Sequence, residues 1–234
     1  MSAIDLFEAL RTTRAVRRLR PDPIPEPVLL RVLEAATWAP SGGNREPWRI
    51  VLVRSVETKR ALQQLYAAPW LVYSSSSRQA QAQLPEPART QAQRNLAAAD
   101  YLADHLHEAP VIAVFCFDPR LLAITDAKLG RASVVGGASI YPAVQNLLLA
   151  CRAEGLGCTL TTLLCQSEAE VRPLLGLPEP WATAAFVPIG YPLGRGHAAP
   201  ATRNPLAQMV YAERFGQALA SDSDGATVRG CDGN

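Results

Sequence analysis

Three short apolar runs, far apart along the chain, most constrain its fold, because each has the length and residue types of a β-strand. They are Trp48 to Val53, Val111 to Phe117 and Trp181 to Ile189. The first is partly alternating and then continuously apolar, which is typical of a strand buried on both faces of a sheet. The second is apolar throughout. We therefore predict that Trp48 to Val53 is buried on both faces and that Val111 to Phe117 is a central strand.

Helical patterns lie between these runs. Apolar residues recur at helical spacing over residues 28–36 and 140–151, and Gly155 follows the second helix in the position where a left-handed residue often ends a helix. Ser167 and Glu170 have the spacing of a capping box, which predicts the start of another helix. No internal repeat and no linker divides the chain, so we predict a single domain.

The segment between the first two strands is harder to assign. A helix over residues 58–66 is expected to give way at Pro69, and helical spacing resumes over residues 92–106 after two further prolines. A broken stretch of this kind inside a compact domain is usually a surface excursion or a lid over a site. We predict that role for residues 67–95.

Composition excludes several classes of function. Of the 234 residues, 48% are hydrophobic and 19% charged, which is ordinary for a globular protein. The formal net charge of +2 gives no global attraction to nucleic acid or to an anionic membrane. No apolar run is long enough for a membrane span and no signal peptide is evident, so a cytoplasmic location is expected. The five cysteines and three histidines form no metal-binding spacing, and buried free thiols are expected.

A basic turn and a later loop suggest a binding site. Residues 14–18 concentrate three arginines near a helix end, and residues 39–48 form a loop with Pro and Gly that runs into the first strand. Guanidinium groups beside a loop rich in backbone N–H groups suit an anionic ligand with a polar edge, such as a phosphorylated cofactor. The alternative is that Arg14, Arg17 and Arg18 merely solvate a helix end. Dinucleotide, Walker A, serine-hydrolase and zinc-protease motifs are lacking, so a bound cofactor is expected to carry any chemistry.

Several motifs follow one another in a consistent order. They are the basic turn Thr13 to Leu19, Pro21-Asp22-Pro23, the loop Pro40 to Trp48, Gly155-Leu156-Gly157, Ile189-Gly190-Tyr191-Pro192 and Arg203-Asn204-Pro205-Leu206. In this order they resemble the nitroreductase family of flavin-dependent oxidoreductases, over roughly residues 4 to 216. The resemblance implies an α+β fold: a three-layer sandwich with a central, mostly antiparallel sheet flanked by helices. It also implies an intertwined homodimer with FMN at the interface, an FMN-binding domain over residues 1–216, and a disordered tail over residues 217–234.

The resemblance also assigns site residues. The FMN phosphate and ribityl chain would be held by Arg14, Ala15, Val16, Arg17 and Arg203. The flavin ring would be contacted by Ser41 and Asn44, either of the same subunit or of its partner. The N5 side of the ring would be lined by Thr161, Thr162 and Leu163. For Thr161 and Thr162, a plain strand remains the alternative. Three residues depart from the family pattern: Thr13 stands for Arg, Ala15 for Ser and Glu46 for Gln. The first two departures remove a cation and a hydroxyl. Arg18, Arg20 or Arg195 could compensate.

The implied activity is that of an FMN-dependent oxidoreductase with no catalytic residue of its own. Hydride would pass from NADH or NADPH through flavin N5 to a small electron-poor acceptor, either a nitroaromatic, a quinone or an activated alkene. One alternative is a specialised flavin enzyme of the same fold that dehalogenates halotyrosine, fragments flavin or oxidises a heterocycle. The halotyrosine branch is disfavoured, because residues 67–107 contain Tyr73, Glu86 and Tyr101 but no Lys. Another alternative is a non-catalytic FMN-binding sensor.

Overall fold

The structure of the chain is a computed structural model that describes residues 4–194, 196–197 and 202–219. The chain divides into two compact units, one up to Pro200 and one from Ala201 onward. The described part of the second unit is irregular apart from a 3-10 turn at Leu206–Gln208. The predicted disordered tail lies largely outside the described residues, and the domain limits given above stay predictions.

The sheet belongs to the first unit, and its described strands are all antiparallel. They are β1 (Trp48–Val53), β2 (Val111–Phe117), β3 (Gly157–Cys158) and β4 (Ala182–Gly190), in the spatial order β1-β2-β4-β3. Strand β2 is therefore central, as predicted. Strand β1 is an edge strand, so the prediction that it is buried on both faces is wrong for the single chain, in which most of its residues stay partly accessible to solvent.

Helices cover both faces of the sheet. The described α-helices are α1 (Leu6–Thr12), α2 (Glu26–Thr37), α3 (Val56–Ala82), α4 (Ala88–His105), α5 (Tyr141–Ala153) and α6 (Glu168–Leu174). Along β2, Ala113 and Phe115 pack in a core with α2 and α5. The alternate residues Ile112 and Val114 pack in a second core with α3, α4 and α6. This alternation follows from the two-residue period of a strand and produces the predicted α+β sandwich of three layers.

The end of α5 confirms the role predicted for Gly155. This residue has a φ of +74°, which favours glycine because it lacks a Cβ. Its N–H donates to the carbonyl of Arg152 at 3.2 Å, and the N–H of Leu156 donates to the carbonyl of Cys151 at 2.8 Å. These two bonds satisfy carbonyls that the helix leaves without an intrahelical partner. The chain is thereby turned directly into β3.

The prediction that the helix ends before Pro69 is wrong, because α3 continues through this residue to Ala82. A proline lacks the N–H that would bond the carbonyl four residues earlier, which here belongs to Leu65. The hydroxyl of Ser167 donates to that carbonyl at 3.3 Å instead. A contact from a segment about a hundred residues later therefore supplies the donor that the proline lacks.

The predicted capping box is also wrong. Ser167 precedes α6, but its side chain makes no capping hydrogen bond, since its hydroxyl is turned toward α3. The carboxylate that turns inward is Glu168, which accepts bonds from the N–H and the hydroxyl of Thr183 at 2.6 and 2.8 Å. Tertiary partners thus outcompete the local cap at this helix start. No helix in the described ranges is long and apolar enough to cross a membrane.

Candidate functional site

The basic turn lies across the ends of β3 and β4. The N–H of Val16 donates to the carbonyl of Cys158 at 2.8 Å, and the N–H of Arg20 donates to the carbonyl of Tyr191 at 2.8 Å. Val16 and Leu19 are buried and anchor the turn, which leaves the neighbouring arginine side chains at the surface of a cleft. The alternation of buried apolar and outward basic residues fixes the direction in which the guanidinium groups project.

The turn approaches β3 closely at Gly157. A Cβ at this position would lie 2.6 Å from Cγ1 of Val16 and 3.1 Å from Cδ2 of Leu19. Real side chains do not approach that closely, so any larger residue would displace the turn. Gly157 is therefore part of the support of the arginine turn, although its motif suggested only a helix end.

The turn and α4 enclose a cleft of about 380 Å³. Its charged lining consists of arginines: Arg14, Arg17, Arg18 and Arg94. The pKa of Arg17 is lowered, mainly by burial and also by the like charge of Arg14, while Tyr66 opposes this by raising the pKa. Placing cations together at a partly buried position is unfavourable unless an anion neutralises them. The cleft therefore has the chemistry of a phosphate site.

A second pocket of about 200 Å³ shares Arg17 with this cleft. Its other walls are the segment Thr161 to Leu163, the aromatic rings of α3 and the apolar side of α4. The rings of Tyr66 and Trp70 are stacked with centroids 6.4 Å apart and an interplanar angle of 17°. Arg17 lines both spaces, and residues of α4 line both as well, so the two spaces adjoin along this helix. We call the two together the α4 groove; it has a cationic end and an aromatic end.

The segment Thr161 to Leu163 is held by β4 and α3. Thr161 exchanges two backbone hydrogen bonds of 2.9 Å with Phe186, and its hydroxyl donates to Tyr66 Oη at 3.4 Å. Burial raises the pKa of Tyr66. The pairing with β4 is a single bridge, and a 3-10 turn begins at Leu163, so the plain-strand alternative describes only Thr161. Thr162 is exposed and follows this bridge at the wall of the groove.

Ser41 and Asn44 do not line the α4 groove. They lie in the loop that enters β1, where Asn44 and Glu46 have φ values of 53° and 45°. The hydroxyl of Ser41 accepts a bond from the N–H of Glu46 at 3.0 Å, and this bond holds the loop. Left-handed conformations of non-glycine residues are strained and concentrate at functional sites. The predicted contact of this loop with a flavin, from the partner subunit, stays a prediction.

The remaining predicted residues are placed as follows. Ala15 and Val16 line the cationic end of the groove with the arginines. Arg203 lies in the second unit, where its Nη1 donates to the carbonyl of Thr202 at 3.3 Å, and its role in phosphate binding stays a prediction. Arg195, one of the suggested compensating cations, lies outside the described residues. In the described ranges, no cluster of His, Cys, Asp or Glu could hold a metal ion.

The sequence reasoning missed the contributions of α3 and α4. Tyr66 and Trp70 are four residues apart on α3, and Arg94 and Ala98 are four apart on α4, so each pair projects from one helix face. The spacing could have been read from the sequence if the helix had been continued through Pro69. The groove suits FMN, since one end offers guanidinium groups to a phosphate and the other offers aromatic walls to a flat ring.

Comparison with known proteins gives a consistent result. The family model described as the Nitroreductase family matches residues 10–191. The chain is 34% identical over 218 residues to an NADH dehydrogenase of Thermus thermophilus, covering 90% of this chain and 97% of that protein. It is 33% identical over 191 residues to a 5,6-dimethylbenzimidazole synthase of Rhodobacter capsulatus, covering 80% and 83%.

The fold is also similar to that of solved proteins. A structure of the NADPH:FMN oxidoreductase from Vibrio harveyi complexed with NAD+ superposes with a TM-score of 0.64, covering 92% of this chain and 79% of that chain. The two sequences are 22% identical, so this likeness bears on the fold alone. The architecture predicted from the motifs is confirmed.

Proposed function

The chain belongs to the nitroreductase family, and from that premise we propose that it is an FMN-dependent oxidoreductase that uses NADH or NADPH as electron donor. The observation that carries the proposal is the α4 groove, in which Arg17 joins an arginine-lined cleft to an aromatic-lined pocket. A ligand that suits both ends has an anionic group and a planar ring system, as FMN does.

The residues of the chain bind and orient the cofactor. Arg14 and Arg17 would hold the phosphate, because guanidinium forks match phosphate oxygens. Thr161 to Leu163 would lie along the ring, and the rings of Tyr66 and Trp70 would exclude water from it. When bound, FMN supplies the hydride-transfer chemistry. The chain needs no nucleophile, in keeping with the inert thiol of Cys116, whose pKa burial raises to about 12.

The acceptor is proposed to be a small electron-poor molecule such as a nitroaromatic, a quinone or an activated alkene. The aromatic walls of the groove favour a flat acceptor that can stack. The hairpin of α3 and α4 would act as the lid predicted for residues 67–95, because Tyr73, which lines the aromatic pocket, is largely exposed on α3. Access would then depend on the position of these helices.

A homodimer is proposed as the active assembly. Strand β1 is an edge strand, and an apolar cleft of about 690 Å³ runs between it and α2. Trp48 lines this cleft, and its indole N–H is buried and has no hydrogen-bond partner among the described residues. A second copy covering this edge would protect unpaired strand groups and bring the loop of Ser41 and Asn44 to an interface. Sedimentation equilibrium of the purified protein tests this, and a monomer at micromolar concentration would contradict it.

The proposed activity is tested by an absorbance spectrum of the purified protein, followed by anaerobic addition of NADPH and then NADH. We expect a flavin spectrum that bleaches with at least one donor, and reoxidation by a quinone or nitroaromatic. Bound flavin that neither donor bleaches would favour a sensor. A colourless protein that cannot be loaded with FMN would refute the proposal.

A second candidate is the flavin-fragmenting branch of the fold, because the sequence identity to the 5,6-dimethylbenzimidazole synthase, 33%, is close to the 34% identity to the NADH dehydrogenase, although over a smaller share of each chain. The two activities differ in the fate of the flavin. An oxidoreductase returns all of its FMN after many turnovers with donor and oxygen, whereas a fragmenting enzyme consumes it. Chromatography of the released flavin after such an incubation distinguishes them.

A further inference from the structure

We infer that Arg94 of α4 binds the phosphate of FMN together with the arginine turn, so that bound FMN ties the α3–α4 hairpin to the body of the protein. The inference rests on the proposed function and adds a residue that the family motifs do not contain. Helix α4 would then bind the cofactor as well as form part of the lid over the groove.

The first support is the direction of the side chains. Gln91, Arg94, Asn95 and Ala98 all line the cleft of the arginine turn. Their spacing of three, four and seven residues places them on one face of α4. The side chains of Gln91 and Asn95 bond each other at 3.0 Å, which orders the rim of the cleft. The polar face of α4 is thus opposed to the turn across the cleft.

The second support is the balance of charge. Among the described residues, the lining of the cleft contains four arginines and no carboxylate. Two other arginines of the hairpin are neutralised within it, since Arg78 pairs with Asp100 at 2.6 Å and Arg89 pairs with Glu86 at 2.9 Å. Arg94 has no such pair among the described residues. An anion in the cleft would supply its counter-charge.

The third support is the departure from the family pattern at Thr13, where a cation is missing. Of the suggested substitutes, Arg20 pairs with Asp22 at 3.0 Å, and Arg18 lies over the ring of Tyr101 at 4.5 Å. Both therefore have partners already, whereas Arg94 lines the cleft and pairs with no carboxylate in the part of the chain that the structure describes. A phosphate monoester has three terminal oxygens that accept several charge-assisted bonds, so one phosphate can accept from the turn and from α4.

The test compares FMN with riboflavin, which lacks the phosphate. Dissociation constants of both flavins are measured by fluorescence on the full chain after flavin removal. The wild type is compared with Arg94→Gln, Arg94→Lys and the control Arg89→Gln, which lies on the same helix outside the cleft. We expect Arg94→Gln to weaken FMN binding about tenfold and to leave riboflavin binding within about twofold. Arg94→Lys retains part of the FMN preference, and Arg89→Gln retains all of it.

A second measurement reports the coupling to the hairpin. FMN, but not riboflavin, is expected to slow amide hydrogen exchange in α4 of the wild type, and Arg94→Gln is expected to remove the difference. An unchanged ratio of the FMN and riboflavin dissociation constants in Arg94→Gln would overturn the inference. So would an Arg94→Gln variant that raises KM for NADPH alone, because the cation would then recognise the donor. A wild type that binds neither flavin would instead refute the proposed function itself.

Discussion

Substituting Gly157 by alanine tests the support of the arginine turn. The added Cβ would lie 2.6 Å from Cγ1 of Val16, and an ordinary carbon–carbon contact needs about 3.6 Å. Val16 cannot easily retreat, because its N–H is bonded to the carbonyl of Cys158 at 2.8 Å and its branched side chain is buried. The turn must therefore move by about 1 Å or the core must be strained.

Two effects of different size follow. Overpacking of this kind lowers the free energy of unfolding by about 1–3 kcal/mol. A displacement of about 1 Å also moves Arg14 and Arg17, and loss of one charge-assisted bond to phosphate costs about 1.5–3 kcal/mol of binding free energy. FMN affinity is thus expected to fall at least about tenfold, and riboflavin affinity much less.

The assays are urea unfolding of the flavin-free protein and titration with each flavin. Gly130→Ala is the matched control, because a Cβ there meets no atom within 4 Å. Val16→Ala removes the shortest of the new contacts and leaves those to Cβ of residue 16 at 3.0 Å and Cδ2 of Leu19 at 3.1 Å, so it relieves part of the overpacking. The double variant with Gly157→Ala should therefore be more stable than the sum of the single effects predicts. Additive effects in this cycle, or a Gly157→Ala protein as stable as the wild type, would refute the reasoning.

Three further outcomes are expected. Ser167→Ala leaves the carbonyl of Leu65 without its donor and should lower the free energy of unfolding by about 1 kcal/mol in urea melts; an unchanged midpoint would contradict the contact. The pKa of Asp126 is lowered mainly by a hydrogen bond from Ser133. The ionised carboxylate therefore stabilises the fold at neutral pH, and this stabilisation is lost as the pH falls through the lowered pKa. In Asp126→Asn, the free energy of unfolding should therefore fall less steeply at acid pH than in the wild type. An unchanged pH dependence would show that this carboxylate does not contribute to acid unfolding. Because the pKa of Cys116 is about 12, its thiol should resist iodoacetamide at pH 8 in the native protein, as judged by mass spectrometry; rapid labelling there would show that it is exposed.

The sequence predicted well where the signal is local. The apolar run of Val111 to Phe117 identified the central strand, because a strand covered on both faces carries mostly apolar residues. Gly155 identified the end of α5, because a left-handed residue is needed there. In contrast, the predicted helix end before Pro69 and the predicted capping box at Ser167 were both wrong. One hydrogen bond between the two distant segments overrides the local preference of each residue. A rule that considers a proline alone cannot include a donor from elsewhere in the fold.

For the site, the motifs by themselves determined the family, the cofactor class and the arginine turn, because a phosphate needs guanidinium groups wherever they come from. Only the tertiary structure decided which helix faces that turn. Packing of α4 against α3 brings Arg94 to the cleft, and packing of α3 brings Tyr66 to Thr161. These contacts join residues tens of positions apart, and their distances are set by how helices pack on the sheet, which no local pattern specifies.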